Sequence, residues 1–314
     1  MRLIFALCIV AIAHSLSFAQ LAGFETPKVN LTLNKGFDIA YAYVIGNEPH
    51  MFCYDTHTGK AAFWRMSYGN KPLASLSIGN SWNFFSTIRT SQGSPLYLLA
   101  NSQTGEVKTT LNILDIASKN QISINNTFDN TQWSTTSVVH LNLEPYLFRY
   151  IGTTGEVLLN RIHPQTALID DTPTSHTIEP QWDHIEFAQS QEYIYVLKHS
   201  TAKKSIVMEC VKHNTASSNP FESTLRLTYE TTTEWTSSTI FTFNEMAYLL
   251  LYSAMSGEIM LLQANEDMTQ LVTLYKTTWS TGWTNFNVIY LNSWPYLFHH
   301  KESNGLARLS RIVL

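Results

Sequence analysis

From Glu144 the chain reads EPYLFRYIGTTGEVLLNRI, and from Trp294 it reads WPYLFHHKESNGLARLSRI. A phrase that returns after about half the chain, with no Cys, His or acid pair held constant between its copies, marks a repeated structural unit, and repetition restricts the possible folds more than any other feature. Aligned on the Tyr of PYLF, six copies emerge, with His50, Leu96, Tyr146, Tyr193, Tyr248 and Tyr296 at that position. Nine residues later stand Gly59, Gly105, Gly155, Ala202, Gly257 and Gly305. Upstream lies an aromatic anchor: Phe37, Trp82, Trp133, Trp182, Trp235 and Trp283, advancing by 45, 51, 49, 53 and 48 residues. Units of about 50 residues fill the chain without a linker.

Each unit reads as four short strands. The first follows the anchor, as in WSTTSVVHLN. The second, PYLFRY, is nearly all apolar, as in a strand covered on both faces. The third, EVLLNRI, follows a tight turn of Thr-Gly, Ser-Gly or Asn-Gly, the residues that tolerate a positive φ. Ala202 departs from this pattern in the fourth unit, where a looser loop is expected. The fourth strand is the least regular, as in STLRLTYETTTE and LVTLYKTTWS. Four-stranded units repeated radially are the blades of a β-propeller. The expected fold is all-β, a six-bladed β-propeller. A parallel β-helix would repeat at a shorter period and a β-trefoil only three times. No WD or kelch signature recurs. The last unit stops after its third strand at Leu314, whereas KVNLTLNKGF before Phe37 matches a fourth strand. Val29–Leu33 is therefore expected to complete the last blade and close the ring, removing two exposed edges.

The first 19 residues combine one Arg, an apolar run from Leu3 to Ala13 and the small-residue ending Ser17-Phe18-Ala19, the order of a secretory signal; residues 20–314 are then one propeller domain. The run is too short to span a bilayer, and Leu7 disfavours a lipid anchor on Cys8. An exported, extracellular protein is expected, without membrane insertion. The net charge of -4 and the absence of a basic patch disfavour nucleic acid as a partner. Only Cys53 and Cys210 remain beyond the leader, too few for a disulfide framework, and in the proposed ring they lie in opposite blades. Asn30-Leu31-Thr32 and Asn125-Asn126-Thr127 fit the N-glycosylation pattern.

Signatures of catalysis are missing: no G-x-S-x-G, H-E-x-x-H, phosphate-cradling loop or C-x-x-C occurs, nor the Asp-box of sialidases. The residue after each anchor is polar in every unit: Asp38, Asn83, Ser134, Asp183, Thr236 and Thr284. On an innermost strand these would ring the mouth of the channel, with Asp38 and Asp183 across the axis. Oxygen ligands in a ring could hold a cation, but the plainer reading is water-filled polarity, and no metal or cofactor is assigned. The Trp anchors divide similarly between wedges that pack blade on blade and exposed platforms for a sugar ring.

The pattern W…PYLFxY…TGE resembles the blade repeats of secreted β-propellers, including tachylectin- and tectonin-type lectins, in period and strand order over all six units. That resemblance implies multivalent, lectin-like binding of carbohydrate through repeated blade loops, with glycans or cell-surface and matrix glycoproteins as partners and no enzymatic activity. No sugar-contacting residue carries over from those lectins. The candidate ligand-binding residues are Trp82, Trp133, Trp182, Trp235, Trp283, Asp38, Asn83 and Asp183. Two readings stand beside this one. A protein-interaction scaffold would use the long loops HPQTALIDDTPTSHTIEPQ and NTASSNPFES, and an enzyme would rely on Asp38 and Asp183 in the channel. The oligomeric state is open.

Overall fold

A computed structural model describes residues 22–33, 35–69, 71–79, 81–89, 95–111, 124–127, 132–142, 144–212, 220–221, 223 and 225–314. The leader, with Cys8, lies outside them, as does most of NTASSNPFES. Among the described residues the backbone forms six antiparallel sheets, each built on four strands in succession, and the single helix is one 3-10 turn at Met66–Tyr68. The innermost strands are Ile39–Ile45, Phe84–Arg89, Thr135–Leu141, His184–Gln189, Ser237–Phe243 and Asn285–Leu291. They approach one another around an axis, which makes the assembly a six-bladed β-propeller.

The second strand of each blade is the most deeply buried. Pro95–Asn101 has every residue buried and Glu48–Asp55 all but its two ends, because both faces of a middle strand meet a neighbouring blade. The last blade closes as its sequence requires: Val29–Thr32 pairs antiparallel with Leu306–Leu309, and the Leu33 amide donates to the Gly305 carbonyl at 2.8 Å. A further short strand, Gly23–Phe24, continues along the same edge against Ile312 and Val313. Ring closure thus rests on the two ends of the described chain pairing over most of one strand. Cys53 and Cys210 are buried in blades 1 and 4 and form no disulfide with one another.

Six apolar clusters fill the six interfaces, and each contains the anchor of the following blade: Phe37, Trp82, Trp133, Trp182, Trp235 and Trp283. Three of the indoles are fastened by a shared device. The hydroxyl of Tyr54 donates to the Gly79 carbonyl and accepts from the Trp82 amide. Tyr150 does the same with Glu179 and Trp182, and Tyr252 with Ser280 and Trp283. These tyrosines stand in blades 1, 3 and 5; at the matching place in blades 2, 4 and 6 are Ala100, His199 and His300. The ring is therefore three blade pairs, each locked internally by a tyrosine.

The hairpin turns follow the expected chemistry, with one correction. Gly59, Gly105, Gly155, Gly257 and Gly305 have φ between 70 and 79°, and each donates its amide to the carbonyl four residues earlier. In blade 4 that place belongs to Lys204, at φ 50°, and not to Ala202. Ser200 pairs with Ser205 as Asp55 pairs with Lys60, so the true counterpart of Tyr146 is Tyr195, two residues after Tyr193. With that shift Trp182 regains the 13-residue spacing of Phe37, Trp133, Trp235 and Trp283. A shift of two keeps every side chain on its original face, which is why periodicity alone does not detect it.

A Cβ on Gly257 would run into the Trp279 carbonyl oxygen, and one on Gly155 into that of Ile178, whereas one on Gly69 would meet open space. Gly257→Ala is expected to lower stability in chemical denaturation by at least ~2 kcal/mol, the left-handed strain of about 1–2 kcal/mol plus the backbone clash. Gly69→Ala, which carries the strain alone, should lose about 1 kcal/mol.

Candidate functional site

The inner edges of the blades would expose unpaired backbone groups to the channel, and side chains of the innermost strands satisfy many of them. Asn285 and Asn287 of blade 6 accept from the Ala40 and Ala42 amides at 3.3 and 3.0 Å, and Asn287 also donates to the Ala42 carbonyl at 2.8 Å. The Glu186 carboxylate of blade 4 accepts from the Thr239 hydroxyl at 2.8 Å and the Ile240 amide at 3.2 Å of blade 5. Thr242 reaches back to the Gln189 carbonyl. These bonds turn six separate edges into a braced wall.

At the end of the channel beside the hairpin turns, the wall opens into a cavity of about 450 Å³ formed by blades 1, 2, 3, 4 and 6. Tyr41, Phe84 and Phe286 supply aromatic surface; Ser86, Thr136 and Asn285 supply neutral polar groups. The charged side chains among the residues lining it are Asp183 and Glu186, with His184 between them and its Nε2 3.6 Å from Glu186. Two buried polar atoms of the lining have no hydrogen-bond partner: the Thr136 hydroxyl and His184 Nε2. Burial raises the Tyr41 phenol above its ordinary pKa; a bond to Ser86 opposes that and the nearby Glu186 charge adds to it, so the phenol stays protonated at neutral pH. A second chamber of about 330 Å³ continues down the axis and shares Tyr41, Val138, Glu186, Phe187 and Asn287 with the first.

The residues singled out from the sequence divide into two groups. The indoles of Trp82, Trp133, Trp182, Trp235 and Trp283 are all buried between blades, at 6% exposure or less. They are placed as wedges with little surface open to solvent, although Trp283 also borders a lateral cleft between blades 5 and 6. The polar residues after the anchors serve the turns of their own blades. Asp38 accepts from the Thr56 amide at 2.9 Å, Asn83 from Ser102 at 3.0 Å and Asp183 from Thr201 at 2.6 Å, while Ser134 and Thr236 do the same for Gly152 and Ala254. Asn83, Ser134 and Asp183 also border the cavity; Asp38 does not. The structure brings together Asn83 and Asp183 but leaves Asp38 outside the lining. Tyr41, Thr136, His184 and Glu186 were not legible as site residues, because each sits within an ordinary strand whose facing is decided by the ring.

Two adjacent histidines of blade 6 carry a consequence for acid stability. Burial, joined by the Arg308 charge, pushes His299 down to about 3, and burial pushes His300 down to about 4. The unfolded chain takes up these protons near pH 6.5 while the folded one does not. Unfolding therefore binds protons, and stability should fall as pH drops from about 6.5 toward 4. Thermal melting across that range is expected to show the loss, and His300→Leu should make it shallower.

No family model matches the chain, and no curated protein sequence matches it. Among solved structures, it is similar to a putative 6-phosphogluconolactonase from Bacteroides uniformis, at a TM-score of 0.50 and 12% identity over 84% of this chain and 82% of that one. It is also similar to a DUF4623 family protein from Bacteroides eggerthii, at a TM-score of 0.52 and 12% identity over 94% of this chain and 78% of that one. At such identity the likeness is one of fold.

Proposed function

We propose that this protein is an exported, non-enzymatic binding propeller that recognises carbohydrate, with the axial cavity as its principal site. The observation that carries this reading is the composition of the mouth: aromatic edges beside neutral hydroxyl and amide groups, two carboxylates, no Lys or Arg among the lining residues, and two buried polar atoms without partners. A sugar matches such a wall, since its apolar C–H face meets aromatic rings while its hydroxyls pair with stranded donors and acceptors. The turns around the mouth add exposed neutral polar side chains, among them Thr58, Gln103, Thr154, Ser256 and Asn304. An extended glycan lying across several of them would gain from the repetition, in the manner of the lectins that the repeat resembles. The leader-like first 19 residues support export. A phosphorylated substrate of the kind implied by the name of one structural neighbour suits the site poorly, because the acidic mouth has no cation to receive it. The scaffold reading draws on Tyr68 and Leu73, both exposed on the outer connection of blade 1.

A glycan array probed with residues 20–314 is expected to give saturable binding. In calorimetry against the best glycan, Thr136→Val should weaken affinity about tenfold, equivalent to roughly 1.4 kcal/mol, with melting little changed, and Tyr41→Ala should weaken it at least as much while also lowering the melting temperature through lost packing on Phe85. Asp38→Asn, outside the lining, should leave affinity intact. Blank arrays together with melting that no sugar shifts would exclude the carbohydrate reading.

A further inference from the structure

A second cavity, of about 420 Å³, lies away from the axis between blades 5 and 6. Its floor is His299 of the second strand of blade 6, flanked by Arg308 and Ser310 of the third strand. One wall is Tyr275, Trp279 and Trp283 from the end of blade 5 and the entry to blade 6, and the N-terminal segment supplies Phe24 and Pro27 opposite. The aromatic walls are ordered against one another. Phe24 meets Tyr275 and Trp279 edge to face at 5.5 and 5.0 Å, and His299 packs on Trp279 and Trp283 at 4.8 and 4.1 Å.

Two observations, on His299 and Arg308, say that this is more than a packing gap. His299 is 3% exposed, yet neither ring nitrogen has a hydrogen-bond partner. A buried imidazole so placed forgoes two bonds, an uncompensated desolvation unless something enters the cavity to meet it. Arg308 lies beside the Trp283 ring with its Nε bonded to Asn30 at 3.2 Å, and no carboxylate pairs with it among the described residues. The one carboxylate of the lining, Glu25, is engaged by Arg311 at 3.3 Å. The Ser280 hydroxyl is likewise taken, by the Trp283 indole N–H.

The remaining chemistry is a set of flat apolar walls, one cation with donors to offer, one neutral imidazole that can donate and accept, and the Ser310 hydroxyl. We propose that this cleft binds a small aromatic carboxylate, whose ring lies against the wall formed by Phe24, Tyr275 and Trp279 and whose carboxylate meets Arg308. A cationic guest would face Arg308 at close range. An acidic sugar would need partners for three or four hydroxyls, where the cleft has only His299 and Ser310 to provide them beside Arg308. An aryl acid uses the aromatic walls over its whole ring and needs only the charge partner and one hydrogen bond. The site is independent of the axial cavity and involves none of its residues.

The test is calorimetry and ligand-observed NMR on residues 20–314 with 2-naphthoate, its neutral amide and glucuronate. Saturable naphthoate binding is expected, at least tenfold tighter than the amide. Arg308→Gln should reduce naphthoate to the level of the amide, Arg308→Lys should retain part of the preference, and His299→Phe should weaken both ligands severalfold, with folding verified by melting curves. Thr136→Val, in the axial cavity, should change nothing. Equal affinity for acid and amide, binding indifferent to both Arg308 substitutions, saturation by glucuronate alone, or no saturable binding would each overturn the assignment.

Discussion

The burial of one large aromatic side chain at every blade interface is the contact on which the rest of this structure depends. A four-stranded sheet has two apolar faces and cannot stand alone in water, so each blade is stable only against its neighbours. The anchor enters from the loop that begins a blade and packs on the blade before it, which couples chain direction to ring direction. Where the preceding blade supplies Tyr54, Tyr150 or Tyr252, its hydroxyl also binds the backbone on both sides of the loop and fixes the anchor's approach. Burying a ring of this size contributes on the order of several kcal/mol, and six such contacts must close on themselves simultaneously. The pairing of Val29–Thr32 with Leu306–Leu309 makes that closure possible.

Once the anchors and turns are satisfied, little repeated chemistry remains. The polar residue after each anchor is present in all six blades, and in five of them it bonds the amide at the start of the following hairpin turn. That duty explains its recurrence without reference to a ligand. Several buried polar atoms without a hydrogen-bond partner, Trp182 Nε1 at its anchor apart, occur instead where the blades differ. Thr136 and His184 line the channel and His299 lies in the cleft between blades 5 and 6, and none of them has a counterpart of the same type around the ring. In this repeat the shared residues hold the scaffold together, and the candidate sites fall at positions where one copy departs from the others.

The repeat, the strand order within a unit, the glycine turns and the closing strand were all readable along the chain, because each is written in local periodicity or in turn chemistry. The register of blade 4 was not. Tyr193 and Tyr195 both point to the same face of one strand, and only pairing with the third strand, Ser200 opposite Ser205, selects the second of them. The exposure of the Trp residues was likewise undecided, since an indole at a loop can turn outward to solvent or inward between sheets. The ring closes with the latter, leaving every one of the five at 6% exposure or less.

The amino-acid sequence by itself determined that this chain forms six four-stranded blades and how its ends meet, because those features follow from interactions between residues at most one repeat apart, together with one matching strand. The tertiary structure alone decided where the candidate binding chemistry lies. The axial cavity draws on five blades, and the lateral cleft joins Phe24 to Tyr275 and Trp279 across some 250 residues of chain. The physical reason is that a site depends on which polar atoms are left without partners after packing, and that remainder exists only once all six interfaces have formed.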